Sequence, residues 1–350
     1  MAKMRKNILL TFDFELFLGQ KSGSVENCLI KPTEELIPVI NRYNLSTIFF
    51  VDTLYLYRLK KQAEATAAAK KDFVKIINLL RRLITSTKAY VFHHIHPHWL
   101  DAIYIEKDNE WDGSNKSRFA LSNLNEGEVE AVFEKSNTII NEIYMNLTSP
   151  FAQGYRAGGL YAQPFEGFKS QLDKYGIKLD FSVLKDAVST EEGYKFNYSS
   201  YPVEDIYKFS NDIVEKDVLG NFIEISMNQF HLSGINKLIN GLYYRTNLKS
   251  TSWKRWGDGS SSGNVVGNTK KANKFKSTET YSIELLNKFK VNLYTKELKK
   301  KDFIHIISHP KFFSKQHIDS FEKMIETISN KYELETNLFQ ILNNSNISIK

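Results

Sequence analysis

The chain has 350 residues, 42% apolar and 25% charged, with a formal excess of seven positive charges; this is the make-up of a globular protein with room for a large core, and no apolar run reaches the roughly 18 residues a membrane helix needs. A single cysteine, Cys28, excludes an intrachain disulfide and fits a reducing compartment. The basic clusters at Lys60-Lys61, Lys70-Lys71 and Lys299 to Lys301 are short and spread over the chain, which argues against a nucleic-acid-binding stripe.

In chain order, strands alternate with helices. Asn7 to Phe12 reads as a short buried strand ending at Asp13. Its apolar core, Ile8 to Leu10, is too short for a secretory signal, so a cytoplasmic location is expected. Pro32-Thr33-Glu34-Glu35 opens a helix. Leu45 to Val51 is a second strand, Leu54 to Leu83 a long helical stretch, and Ala89 to Phe92 a third strand. Trp99 to Asn125 has no period and reads as a long loop. Glu126 to Leu147 is a helix with Val129, Val132, Phe133, Ile139, Ile140 and Ile143 on one face. A tight turn at Gly154 to Gly159 precedes a helix over Pro164 to Tyr175, and strands follow at Ile177 to Val183 and Asn221 to Met227.

Lys249 to Thr278 is rich in Lys, Ser, Gly and Asn and reads as a mobile polar insertion, at about 249–278, in a single domain spanning 1–350. A helix at Tyr281 to Phe289, a strand at Phe303 to Ser308 and a closing helix over Ile318 to Leu342 complete the reading.

Half of the eight histidines fall between His93 and His98, at the end of the third strand, where Pro97 breaks the backbone. Asp13 and Glu15 follow the first strand, Arg156 follows a short one, Asp180 lies in the next, and His309 follows the last. In a mostly parallel sheet the carboxyl ends of the strands share one rim, so these residues should converge. Two imidazoles and a carboxylate suit a divalent metal, with zinc first among the candidates. A second carboxylate can act as general base, a further His as general acid, and an Arg can hold the base ionised. That set suits metal-assisted hydrolysis of an amide or ester. In a strand-like segment His94, His96 and His98 share a face, so spacing leaves His96 as a rival ligand.

Thr11-Phe12-Asp13-Phe14-Glu15 resembles the first motif of the polysaccharide deacetylases, the NodB-homology group similar to carbohydrate esterase family 4. His94 to His98 resembles that family's His-x-x-x-His motif, Arg156-Ala157-Gly158 its Arg motif without the proline, and Ser308-His309-Pro310 its last motif. Ser46 to Val51 is similar to its second strand. The resemblance runs in order from residue 7 to residue 311. It implies a distorted (β/α) barrel of about seven parallel strands and deacetylation of an N-acetylated sugar or glycan. It implies Asp13 as base, Glu15, His94 and His98 as metal ligands, Arg156 orienting Asp13, His309 as acid and Asp180 tuning His309. The metal carboxylate is displaced by one residue, with Phe14 inserted, and is Glu. With no export signal, a sugar precursor is the expected substrate form. The alternatives are a hydrolase of a non-carbohydrate C–N bond and a non-catalytic glycan binder. Exposed flat faces on Trp99, Tyr104, Trp111 and Tyr161 would favour a sugar.

Overall fold

Buried strands of β-branched and aromatic residues make the centre of the molecule, such as Ser-Thr-Ile-Phe-Phe-Val-Asp at Ser46–Asp52, where all seven residues are buried. The computed structural model describes residues 3–191, 193–247, 251–260 and 276–349. Its main sheet contains β1 (Arg5–Phe14), β2 (Ser46–Asp52), β3 (Lys88–Ile95), β4 (Gln153–Ala157), β5 (Ile177–Asp180), β6 (Ile206–Phe209), β7 (Phe222–Ile225), β8 (Phe303–Ser308) and β9 (Glu333–Glu335). The order is β6-β7-β5-β4-β3-β2-β1-β8, with β9 also on β1. All pairings are parallel except β6 with β7.

Helices α1 (Lys31–Arg42), α2 (Thr53–Gln62), α3 (Ala67–Ser86), α4 (Glu126–Tyr144), α5 (Glu166–Lys174), α6 (Gly234–Asn247), α7 (Lys288–Glu297), α8 (Lys315–Ser329) and α9 (Leu338–Asn344) follow the strands. The α/β alternation stands, and several boundaries differ from expectation. The stretch expected as one helix over Leu54 to Leu83 is two, α2 and α3, with turns between them. The closing stretch stops at Ser329, gives the short strand β9, and resumes as α9. The helix expected at Tyr281 begins only at Lys288, capped by the Asn287 side chain on Lys290 N. Strand β6 and helix α6 carry too little period to be read beforehand.

Two apolar layers flank the sheet. One, with Leu10, Phe12, Phe49 and Val91, packs beneath the helices. The other, with Leu9, Ile48, Phe50, Phe92, Leu179 and Ile223, fills the opposite face and is plugged by Leu338, Ile341 and Leu342 of α9. Above this plug the same side carries polar groups. The two ends of the sheet approach each other there. Asn228 receives the His305 backbone N–H at 3.2 Å and donates to Phe303 O at 3.3 Å, so one side chain spans the gap between β8 and the chain leaving β7.

Register sets the site. Asp52 pairs with His94 and His94 with Arg156, while Tyr155 pairs with Asp180 and Asp180 with Glu224. Residues far apart in sequence therefore reach one rim at the carboxyl ends of the strands.

Candidate active site

Alternation along β3 separates the histidines. His93 points towards α4, where Nδ1 lies 2.9 Å from Ser136 Oγ, and burial lowers its pKa to about 3. His94 and His96 point to the other side. His94 Nδ1 lies 2.9 Å from Arg156 O, so it donates there and leaves Nε2 for the centre. The Nε2 atoms of His94 and His96 are 3.0 Å apart. They lie 3.3 and 2.9 Å from Glu15 Oε2.

This group, Glu15, His94 and His96, differs from the expected set. His98 does not join it. Pro97 starts a short 3-10 turn that ends the alternation. His98 is buried against Trp99 and Phe119, with neither ring nitrogen bonded among the described residues. Gly158 makes the room for His96, since a Cβ there would stand 2.5 Å from Ile95 O and 2.6 Å from His96 Nδ1.

The donor set fits a divalent metal. Two imidazole nitrogens and one carboxylate oxygen, all buried, point at a common place. The electrostatics agree. Burial works against a charged His94, but the Asp13, Glu15 and Asp52 carboxylates outweigh it and raise its pKa to about 9. Burial and that charge lower His96 to about 4. Burial also opposes the Glu15 charge, yet Lys311, His94 and His96 hold the carboxyl well below its usual range. Lys311, itself buried, donates to Glu15 Oε1 and to Leu16 O, each at 2.8 Å.

Asp13 sits beside this group, with Oδ2 4.0 Å from His94 Nε2. Arg156 Nη1 donates to Asp13 Oδ1 in a buried ion pair. The guanidinium also donates to Thr11 Oγ1 at 3.0 Å and Phe181 O at 3.2 Å, and lies 4.1 Å over the Phe50 ring. Burial raises the Asp13 pKa, but the Arg156, His94 and His309 charges prevail and lower it.

His309 faces Asp13 from β8, with Nε2 3.6 Å from Asp13 Oδ2. Its Nδ1 lies 2.9 Å from Glu284 Oε1. Burial opposes the charged ring, and Glu284, Asp13 and Glu15 together raise its pKa. Asp180, expected to tune His309, does not. It accepts from Ser182 N at 2.8 Å and faces Glu224 instead. Burial raises Asp180 to about 6, and burial with the Asp180 charge pushes Glu224 well above its usual range. Asp180 Oδ2 and Glu224 Oε2 have no hydrogen-bond partner among the described residues, and the Asp180 charge opposes ionisation of Glu224.

A cavity of about 820 Å³ opens over Asp13, Glu15, His94, His96 and His309. Leu160, Leu184, Val188, Phe196 and Met227 wall one part of it, Trp253 and Arg255 another. A second hollow of about 940 Å³, lined by Gln163, Asn197 and Asp212, holds none of these polar groups. The indoles expected to face sugar do not line the cavity. Trp99 and Trp111 are buried, with Trp99 Nε1 donating to Asp52. Tyr161 is buried against Phe119 and Phe196.

The expected insertion is built in over its described part. Asp258 accepts from Ser24 N, Ser24 Oγ and Asn27 Nδ2, each at 2.8 Å, and Trp256 N donates to Phe313 O at 2.9 Å. Residues 248–250 and 261–275 of that region lie outside the described residues. Sequence reasoning assigned no role to Glu284, Lys311, Asp52 or Glu224. Lys311, two residues past His309, was the one with a signal.

No protein-family description matches the sequence, and no curated protein matches it. Solved structures do. The neighbours are polysaccharide deacetylases and family 4 carbohydrate esterases. A protein assigned as a polysaccharide deacetylase from Mycobacterium smegmatis shares 12% identity over 99% of this chain and 93% of its own, with a TM-score of 0.48. A family 4 acetyl xylan esterase from Clostridium thermocellum, solved with a cobalt ion, shares 12% over 99% and 94%, with a TM-score of 0.41. A family 4 carbohydrate esterase from Streptomyces lividans, solved with acetate, shares 10% over 95% and 91%, with a TM-score of 0.39.

Proposed function

We propose that this chain is a metal-dependent hydrolase that removes N-acetyl groups from an amino sugar of a surface polysaccharide or its precursor, acting in the cytoplasm on a distorted (β/α) barrel. One observation carries the reading. Asp13, held by Arg156, and His309, held by Glu284, stand 3.6 Å apart beside the Glu15, His94 and His96 group.

Glu15, His94 and His96 would hold the ion, with zinc favoured by the nitrogen-rich donor set. A divalent cation there supplies Lewis-acid polarisation of the acyl oxygen and a more acidic water. The residues do the rest. Asp13, ionised and pinned by Arg156, takes a proton from the attacking water. His309, whose charged form Glu284 favours, gives its proton to the leaving nitrogen. Lys311 fixes Glu15 Oε1, so that Oε2 is the oxygen turned to the imidazoles.

A second reading is hydrolysis of an amide outside a sugar. The aliphatic walls at Leu160, Leu184, Val188 and Met227, with Trp99 and Trp111 buried, favour it. A binder without catalysis is disfavoured, because base, acid and metal donors are all present at one place. An acetate-release assay on N-acetylated sugars, their nucleotide conjugates and simple N-acyl amides, with and without zinc, separates the readings. Release from amides alone would move the assignment to the second, and release from none would remove both.

A further inference from the structure

The positive charge is not evenly spread, as the short clusters had suggested. Residues 229–278 hold nine lysines and arginines against one acid, Asp258, which exceeds the chain's whole excess of seven. The rest of the chain is close to neutral. Asp258 itself is taken up by Ser24 and Asn27.

Helix α6 lies in this run, and its sequence contains no acid. It is inverted relative to an ordinary surface helix, which buries its apolar stripe. Asn240 is the buried one among its described side chains, accepting from Asn287 Nδ2 at 2.8 Å. Ile235, Leu238 and Ile239, at three- and four-residue spacing, are 73%, 66% and 42% exposed. Lys237 stands exposed among them. The Trp253 ring packs 6.2 Å from that of Tyr243 on α6 and leads into Lys254 and Arg255, both exposed. Trp253 and Arg255 also line the cavity, so helix and cavity share a wall.

We infer that α6 docks this protein on an anionic lipid surface. A helix of 14 residues, about 21 Å long, with an outward apolar row around the exposed Lys237 suits the plane of a bilayer interface. Each basic residue near the surface adds attraction to anionic headgroups. A second copy is a poor occupant, because it would bring a second Lys237, Lys254 and Arg255 with no added acid. This inference goes beyond the proposed reaction and is read without turnover, so failure of one leaves the other standing.

The test is partition of the full chain onto phosphatidylcholine vesicles with and without phosphatidylglycerol. Binding should be at least tenfold tighter with phosphatidylglycerol and should fall in high salt. The triple change Ile235→Ser, Leu238→Ser, Ile239→Ser and the double change Lys237→Glu, Lys254→Glu should each weaken it at least tenfold, with the melting temperature unchanged. Equal binding to both vesicles, no binding, or full binding by either variant would overturn the inference. So would a wild-type dimer that the triple variant turns into a monomer, since the stripe would then be a contact between copies.

Discussion

His309 Nδ1 lies 2.9 Å from Glu284 Oε1, and that carboxylate comes from the segment just before α7, not from the strand that carries Asp180. The acid of the proposed reaction thus draws its charge support from a residue with no motif around it. Glu284→Gln should keep the fold and lower the pKa of His309. The sign follows from the cause: the carboxylate raises that pKa, so its loss brings the alkaline limb of the rate profile to lower pH. A limb that stays in place would leave Glu284 without this role.

The metal donors can be told apart by elemental analysis. His94→Ala and His96→Ala should each lose most bound zinc. His98→Ala should keep it, at a cost in stability of about 1–3 kcal/mol for the buried volume removed. Retained zinc in His96→Ala together with loss in His98→Ala would restore the expectation from spacing.

Arg156 touches Asp13 and no open part of the cavity, so it should act through the base. Asp13→Asn should lower turnover by about 10²–10⁴-fold while leaving bound metal in place. Arg156→Ala added to it should cost little more. Multiplied losses in the double variant would place Arg156 on substrate.

Burial and the Asp180 charge raise the Glu224 pKa well above its usual range and so favour its neutral form. An amide imitates a neutral acid, so Glu224→Gln should change stability by less than about 1 kcal/mol. Glu224→Ala should cost about 2–3 kcal/mol, because Asp180 and Val183 N lose a partner. Chemical denaturation at pH 7 compares the two, and equal losses would show an ionised Glu224.

His305 is neutral in the folded chain. Burial first, and then the Arg156 charge, lowers its pKa to about 3. Its Nδ1 lies 3.2 Å from Ser226 O and its Nε2 3.2 Å from Arg156 Nη2, an arrangement that a second ring proton would break. Between pH 6.5 and about 3 the unfolded state binds a proton that the folded state refuses. His305 therefore makes stability fall as pH drops through that window, by at most about 1.4 kcal/mol per pH unit. His305→Gln should remove that slope relative to wild type. Parallel stability curves for the two proteins would contradict the neutral assignment.

The sequence by itself determined the strands and most of what stands at their ends. Continuous apolar runs such as Ser46 to Val51 can only be buried on both faces, and parallel strands bring Asp13, His94, Arg156 and His309 to one rim. Tertiary structure decided the partners. His96 and His98 share a face in any extended reading, and only the turn at Pro97 with the space at Gly158 selects His96. Glu284, Lys311 and Glu224 meet their partners across strands and loops, through contacts with no local spacing to betray them. The outward stripe of α6 is likewise a matter of tertiary structure. The chain there carries too little period to show it, and in the fold Asn240 turns inward to accept from Asn287 while Ile235, Leu238 and Ile239 stay outside.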